Sequence, residues 1–255
     1  MSVRHINCGW LGSRERPVSC HCLLVEDQRR LVLVDTGVGL QDVRRPMERI
    51  GRELIEMAGF HFDEAETAIR QIERLGYDST DVTDIVLTHG DPDHAGGLSD
   101  FPNARVHIAA EELTAMNSGH WRYRAPQFTH GVHWQQHTKG QRTWHALEAR
   151  HLPLELDSEV LLIPLFGHTA GHCGAAIQQG DGWLLHVGDA YYLRVELASD
   201  DHPVSQLAAQ RAVDDARRRK SLEELRRLSR DYSTVITMVG YHDVSELPQY
   251  CLRAA

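Results

Sequence analysis

A short segment of this sequence, Thr88–Gly97, concentrates the side chains best suited to bind a metal ion. Within six residues it carries two imidazoles and two carboxylates, those of His89, Asp91, Asp93 and His94. A turn that follows a strand can direct all four side chains to one point. Histidine together with aspartate suits zinc, iron or manganese. The alternative is a polar loop whose histidines bind nothing.

Three further groups of possible ligands follow the ends of strands that the sequence predicts. They are His168 and His172 in Gly-His-Thr-Ala-Gly-His after Val160–Leu165, Asp189 in Gly-Asp after Trp183–Val187, and His242 in Gly-Tyr-His-Asp after Thr234–Val239. One such group alone would be weak evidence. Four groups, each beside glycine, favour a metal centre over accidental placement.

The elements that must position these residues come in two batches of strands with helices beside each batch. Apolar and β-branched runs predict strands at Val3–Cys8, Cys20–Glu26, Leu31–Asp35, Asp84–Thr88, Arg105–Ile108, Val160–Leu165, Cys173–Gln178, Trp183–Val187 and Thr234–Val239. Helical spacing predicts helices at Met47–Ala58, Asp63–Leu75, Ala109–Met116 and Ser205–Arg230. This order suggests two sheets packed face to face with helices outside, in one domain over residues 1–255.

Residues from Asn117 to about His151 show no regular pattern and are rich in histidine and tryptophan. They form either a surface insertion or a lid and substrate wall at about 117–151, since long irregular segments in folded domains are often functional. The tryptophans, Trp121, Trp134 and Trp144, would suit an acyl chain or a ring.

Composition excludes several classes of protein. The formal net charge of −9 argues against a nucleic-acid partner. No run approaches the roughly 18 apolar residues of a membrane span, and the N-terminus lacks a secretory signal, so we expect a cytoplasmic protein without a membrane partner. Five cysteines do not suggest a disulfide framework, and Cys20-His21-Cys22 is typical of a buried strand rather than a zinc site. A homodimer is left open.

On these residues the sequence resembles the metallo-β-lactamase superfamily over nearly its whole length. That family has the signature His-x-His-x-Asp-His, then a Gly-His-Thr-x-Gly-His segment, a Gly-Asp and a final histidine. The matching residues, in order, are His89, Asp93, His94, His168, Asp189 and His242. Asp35-Thr-Gly37 matches an early turn of the family. The resemblance implies an α/β fold, an αββα sandwich of two mixed β-sheets with helices on the outer faces.

The resemblance also implies two divalent metal ions, zinc in the first place, with manganese and iron as alternatives. One ion would be held by His89, Asp91 and His168, and the other by Asp93, His94 and His242, with Asp189 bridging them. A metal-bound hydroxide would attack a carbonyl carbon. By the same resemblance, Asp93 would pass a proton to the leaving group, and His172 would orient His168 or the hydroxide.

Within the superfamily the sequence is most similar to the acyl-homoserine lactone lactonases. Asp189-Ala-Tyr-Tyr192 resembles their Asp-Ala-x-Tyr, which would make Tyr192 an oxyanion donor unless it is only packed. The function implied is hydrolysis of a small-molecule lactone or carboxylic ester. Alternatives are a thioester hydrolase of the glyoxalase II type, a mononuclear iron dioxygenase of the persulfide dioxygenase type, and a non-catalytic member.

Asp91 departs from the family pattern, because it stands where the family has its second histidine. One interpretation is that Asp91 is a ligand, which adds negative charge and favours harder ions such as Mn²⁺ or Fe²⁺ beside zinc. The other is that Asp91 only makes hydrogen bonds nearby, and the first metal site is empty or weak.

Overall fold

Two mixed six-stranded sheets form the centre of the computed structural model, which describes residues 1–27, 30–140 and 142–252. The first sheet has the order β1-β2-β3-β4-β5-β6, and its strands are Ser2–Ser13, Arg16–Asp27, Arg30–Val34, Val82–Val86, Arg105–Ala109 and His133–His137. The second has the order β12-β11-β10-β9-β8-β7, where β7 to β12 are Arg142–Trp144, Leu147–His151, Val160–Pro164, Cys173–Gln179, Gly182–His186 and Ile236–Val239. Parallel pairing runs from β3 to β6 and joins β11 to β12.

The helices α1 to α8 are Leu40–Arg44, Pro46–Arg49, Arg52–Ala58, Ala68–Arg74, Pro92–Ala95, Ala110–Met116, Pro203–Arg211 and Asp215–Asp231. Short 3₁₀ turns occupy Glu64–Glu66, Ser79–Asp81, Gly96–Asp100, Ala125–Phe128, Arg194–Leu197, Val244–Glu246 and Gln249–Cys251. None of the helices in the described part of the chain has the length and apolar content that crossing a membrane requires.

Strand β2 shows why the layers form, because both of its faces are apolar. Successive side chains of a strand point to opposite faces. Leu23 and Val25 therefore pack in the core between the two sheets, and Cys22 and Leu24 pack in the core on the other side. The segment Cys20-His21-Cys22 is thus a buried strand, as the sequence predicted.

Helix α8 covers the outer face of the second sheet. Its leucines recur every three residues, at Leu222, Leu225 and Leu228, and they are buried against Leu185 and Ile236. The αββα sandwich implied by the sequence is confirmed.

Three predicted helices are interrupted. Asp63–Leu75 is divided into a 3₁₀ turn, Glu64–Glu66, and α4, because Thr67 between them is extended with a ψ of 148°. Met47–Ala58 is divided between α2 and α3, because Gly51 between them has a φ of 89°. Ser205–Arg230 is divided between α7 and α8, because the backbone N–H groups of Val213 and Asp214 donate to the carbonyls of residues 168 and 167 instead of continuing the helix.

The prediction that residues 117–151 lack regular structure is wrong for the part that contains β6, β7 and β8. Trp144 is buried in the core, where its ring meets that of Trp183, and Trp134 lies in β6 beside Phe128. The lid stays a prediction for the residues that precede β6.

A group of buried charges surrounds the start of α1. Asp42 and Arg49 form an ion pair of 2.8 Å with both side chains almost fully buried. Asp100 accepts a hydrogen bond from the backbone N–H of Leu40 at 2.9 Å. Burial, assisted by the neighbouring charge of Asp42, raises the pKa of Asp100 to about 7.

We predict that Asp100→Asn stabilises the protein at pH 8 but not at pH 4. The unfolded carboxyl ionises near pH 3.9, so wild-type stability is lost as the pH rises from there to about 7. An amide cannot ionise. A shift of about three pKa units corresponds to about 4 kcal/mol, which is the gain expected for the variant at pH 8. Urea unfolding at both pH values measures this gain, with the exposed Asp181→Asn as control. An equal gain at the two pH values would contradict the prediction.

Candidate metal centre

The seven side chains that the sequence proposed as metal ligands come together at one edge of the two sheets. They are His89, Asp91, Asp93, His94, His168, Asp189 and His242. They reside on the loops that follow β4, β9, β11 and β12 and on α5. His242 is fixed by its Nδ1, which lies 2.9 Å from the carbonyl oxygen of Ser19 in β2.

Asp189 lies at the middle of this group. Its Oδ1 is 3.2 Å from Nε2 of His94. Its Oδ2 is 3.3 Å from Nε2 of His242, 3.4 Å from that of His168 and 3.9 Å from that of His89. A carboxylate with four imidazoles around it is a set of ligands that suits divalent cations. Its bridging of two ions stays a prediction.

Several of the ligand atoms are buried without a hydrogen-bond partner among the described residues. Nε2 of His89, Nε2 of His94 and Oδ1 of Asp189 are such atoms. His94 Nε2 lies 3.2 Å from Oδ1 of Asp189, a contact of opposite charges when the imidazole is protonated. Buried polar atoms normally have a hydrogen-bond partner. Here imidazole nitrogens and a carboxylate oxygen without one converge on one point, and these are atoms that bind zinc. The arrangement therefore fits a divalent metal ion.

The histidines of this group differ in the direction in which their pKa values are shifted. Burial lowers the pKa of His94, but the charges of Asp189 and Asp93 outweigh it and hold this pKa well above its usual value. Burial lowers the pKa of His168 to about 4, despite the nearby carboxylates. The surroundings of His94 therefore attract positive charge more strongly than those of His168.

A cavity of about 680 Å³ opens above the ligands. Its floor includes Asp93, His168 and Tyr192, and its walls are mainly apolar, with Phe60 and Trp121 among them. The ring of Tyr192 lies edge-on to those of His168 and His242, with centroids 5.8 and 5.4 Å away.

Comparison with known families agrees with this geometry. The model of the Metallo-beta-lactamase superfamily matches residues 16–237. The chain belongs to the metallo-beta-lactamase superfamily.

Individual relatives are consistent with this membership. Probable metallo-hydrolases of Mycobacterium tuberculosis and Mycobacterium bovis are each 44% identical over 202 residues, which cover 76% of this chain. The chain spans 64% of the length of these curated relatives. A solved N-acyl homoserine lactone hydrolase, with N-hexanoyl-L-homoserine bound at its catalytic metal centre, has a TM-score of 0.72 and 19% identity, over 95% of this chain and 93% of its own. At that identity the likeness shows the fold.

Asp35 holds one of the superfamily ligands in place. Its Oδ2 lies 2.9 Å from Nδ1 of His94, and its carboxylate also accepts hydrogen bonds of 2.8 Å from the N–H and hydroxyl of Thr88. Its backbone has a φ of 57°, which is unusual for aspartate. The sequence carried a signal for this role in Asp35-Thr-Gly37, but we had not assigned it.

Glu112 in α6 joins the two loops that carry His89 and His168, a role that no pattern in the sequence indicates. Its buried carboxylate accepts hydrogen bonds from the N–H of Gly90 at 3.0 Å and from the N–H of Gly171 at 2.9 Å. It also accepts one from the hydroxyl of Thr169.

His172 is held by two hydrogen bonds. Its Nδ1 donates to the carbonyl of Leu165 at 2.9 Å, and its Nε2 accepts from the backbone N–H of Asp189 at 2.9 Å. His172 therefore positions Asp189. Its ring also lies edge-on to that of His168, with centroids 5.8 Å apart, and its orienting of His168 stays a prediction.

Arg122 is the residue at the centre that the sequence least suggested. Its Nη1 lies 2.6 Å from Oδ2 of Asp91 and 3.0 Å from Nε2 of His168. Burial raises the pKa of Asp91, but the Arg122 charge and then His89 outweigh it and hold that pKa well below its usual value. Arg122 is 31 residues from Asp91 and lies in the irregular segment before β6, where no local pattern predicts a partner.

We predict that Asp35→Asn lowers metal affinity about 10- to 100-fold, the usual cost of losing a residue that orients a metal-binding histidine. An amide cannot hold the His94 imidazole as a carboxylate does. Competition with a chromophoric chelator measures the affinity. The control is Asp84→Asn, which alters an equally buried carboxylate 2.8 Å from Nε2 of His107 in the same sheet, away from the ligands. Equal losses in the two variants would show a general effect on folding instead.

Proposed function

We propose that the protein is a metal-dependent hydrolase of a lactone or another carboxylic ester. The observation that carries this proposal is the carboxylate of Asp189 among four imidazoles beneath a largely apolar cavity. The volume of about 680 Å³ is within the range of small-molecule sites. The ligand of the lactone hydrolase with the same fold, N-hexanoyl-L-homoserine, is the ring-opened product of such a lactone.

A divalent ion in this centre supplies an acidified water molecule and a Lewis acid for the carbonyl oxygen. The chain supplies the remaining functions. Its apolar walls bind the acyl part and exclude water. Asp93, whose side chain is 13% exposed at the cavity floor, would take up the proton that the attacking water loses and pass it to the leaving oxygen. The hydroxyl of Tyr192 donates a hydrogen bond to the oxygen that gains negative charge.

Imidazole and carboxylate ligands suit zinc, with manganese and iron as alternatives. Two ions remain the expectation from the sequence, one for each triad of ligands. At the triad of His89, Asp91 and His168, however, a guanidinium already lies against two of the three ligand atoms. A homodimer also stays a prediction.

A second candidate is oxygen chemistry at a single iron. Asp93, His94 and His242 bring one carboxylate and two imidazoles together. This is the ligand set of many non-haem iron oxygenases.

A panel of lactones, aryl esters and acyl thioesters tests the proposal. We expect a lactone or ester to be hydrolysed, and prolonged chelation to abolish turnover and lower the melting temperature, because metal binding stabilises only the folded chain. Zinc should restore both. Hydrolysis that survives chelation would contradict the proposal, as would iron-dependent oxygen consumption without hydrolysis, which favours the second candidate.

Replacing Tyr192 with phenylalanine should lower kcat on a lactone about 10- to 1000-fold, since one oxyanion donor is lost. The metal content should not change. Tyr191→Phe is the matched control, because the hydroxyl of Tyr191 bonds to Glu246 instead. Unaltered turnover by Tyr192→Phe would mean that Tyr192 is a packing residue.

A further inference from the structure

We propose that the guanidinium of Arg122 takes the place of one metal ion, so that this chain binds a single divalent ion beside a fixed organic cation. Arg122 Nη1, Asp91 Oδ2 and His168 Nε2 form a triangle with sides of 2.6, 3.0 and 3.1 Å. Asp91 and His168 are two of the three residues of the first ligand triad.

His168 cannot bind a metal ion while its Nε2 is held by these hydrogen bonds. Arginine has five N–H donors, no acceptor, and a charge that it does not lose in proteins. His168 Nε2 is therefore engaged in one of two ways: its lone pair accepts from Arg122, or its N–H donates to Oδ2 of Asp91 at 3.1 Å. In neither case is a lone pair of Nε2 left over. The same lone pair would be needed to bind a metal ion, so His168 cannot serve both partners at once.

Arg122 is built into this position. Its side chain is 8% exposed, and its Nη2 donates to the backbone carbonyl of Arg211 at the end of α7. A buried guanidinium is stable when a carboxylate pairs with it. A histidine at position 91 would leave Arg122 without this carboxylate. Asp91, which stands where the family has a histidine, thus forms an ion pair with Arg122.

The second ligand triad consists of Asp93, His94 and His242. Among the described residues, no guanidinium forms an ion pair with it. Within the described residues, the ion-pair partners of Asp93 and Asp189 are all histidines. Nε2 of His94 has no hydrogen-bond partner there. The single ion therefore belongs at Asp93, His94 and His242, with Asp189 beside them.

Arg122 also lines the cavity, next to Tyr192. A fixed positive charge there attracts the carbonyl oxygen of an ester as negative charge develops on it, the role that a second ion would otherwise fill. This consequence rests on the proposed function, whereas the number of ions bound does not depend on a substrate.

Zinc content decides the matter without an activity assay. Chelator-stripped protein is dialysed against zinc chloride, passed through a desalting column and analysed by mass spectrometry of the metal. We expect about one equivalent in the wild type and about two in Arg122→Met, in which His168 is released. Arg211→Met is the control, since it removes a cation from the same cavity without touching a ligand atom, and it should stay at one.

Because Arg122→Met leaves Asp91 unpaired, a double variant guards against misfolding. Asp91→His with Arg122→Met removes both charges and restores the two histidines of the superfamily pattern, and it should bind two equivalents. Two equivalents in the wild type, or one in the folded variants, would overturn the proposal about Arg122. A wild type that binds no zinc would instead contradict the proposed function itself.

Discussion

Buried negative charge is the constraint on which the rest of the centre depends. Asp91, Asp93 and Asp189 each lie less than 4 Å from a histidine of the same group. Their side chains are 13%, 13% and 4% exposed. An ionised carboxylate in the interior is unstable unless a cation or several hydrogen bonds compensate it. The surrounding elements therefore have to supply positive charge, and the chain does so in two ways. Arg122 supplies a guanidinium on one side. On the other side the imidazoles of His94 and His242 can take up a proton or bind a divalent cation, and the carboxylates outweigh the effect of burial and raise the pKa of both.

The convergence of the seven candidate ligands could be predicted because each group of them follows a strand with a clear apolar pattern. The strand places the ligand at the sheet edge, and glycine beside it permits the turn, so local sequence determines both. Arg122 and Glu112 could not be predicted in this way. Their partners lie 31 and 22 residues away, and a local pattern shows which face of an element is buried without showing which polar group meets it there.

The strands that the sequence did not predict and the break between α7 and α8 have different physical causes. Strand β6 lies at a sheet edge and its residues are partly exposed, so it has no apolar alternation to detect. The break between α7 and α8 lies between two segments that both have helical spacing. It is imposed by hydrogen bonds from Val213 and Asp214 to the loop that carries His168, and thus by tertiary structure.

The hydrogen bond between His242 and the carbonyl of Ser19 joins residues 223 positions apart. Its neighbours continue the same seam, with the N–H of His21 donating to the carbonyl of Tyr241 at 3.0 Å. During synthesis the first hairpin leaves the ribosome long before the strand that completes this seam. Closing so long a loop is entropically costly and slow. The candidate metal centre therefore cannot be complete before the last strand has been made and joined its sheet. A chain that binds an ion through His242 has brought the two ends of its sequence together.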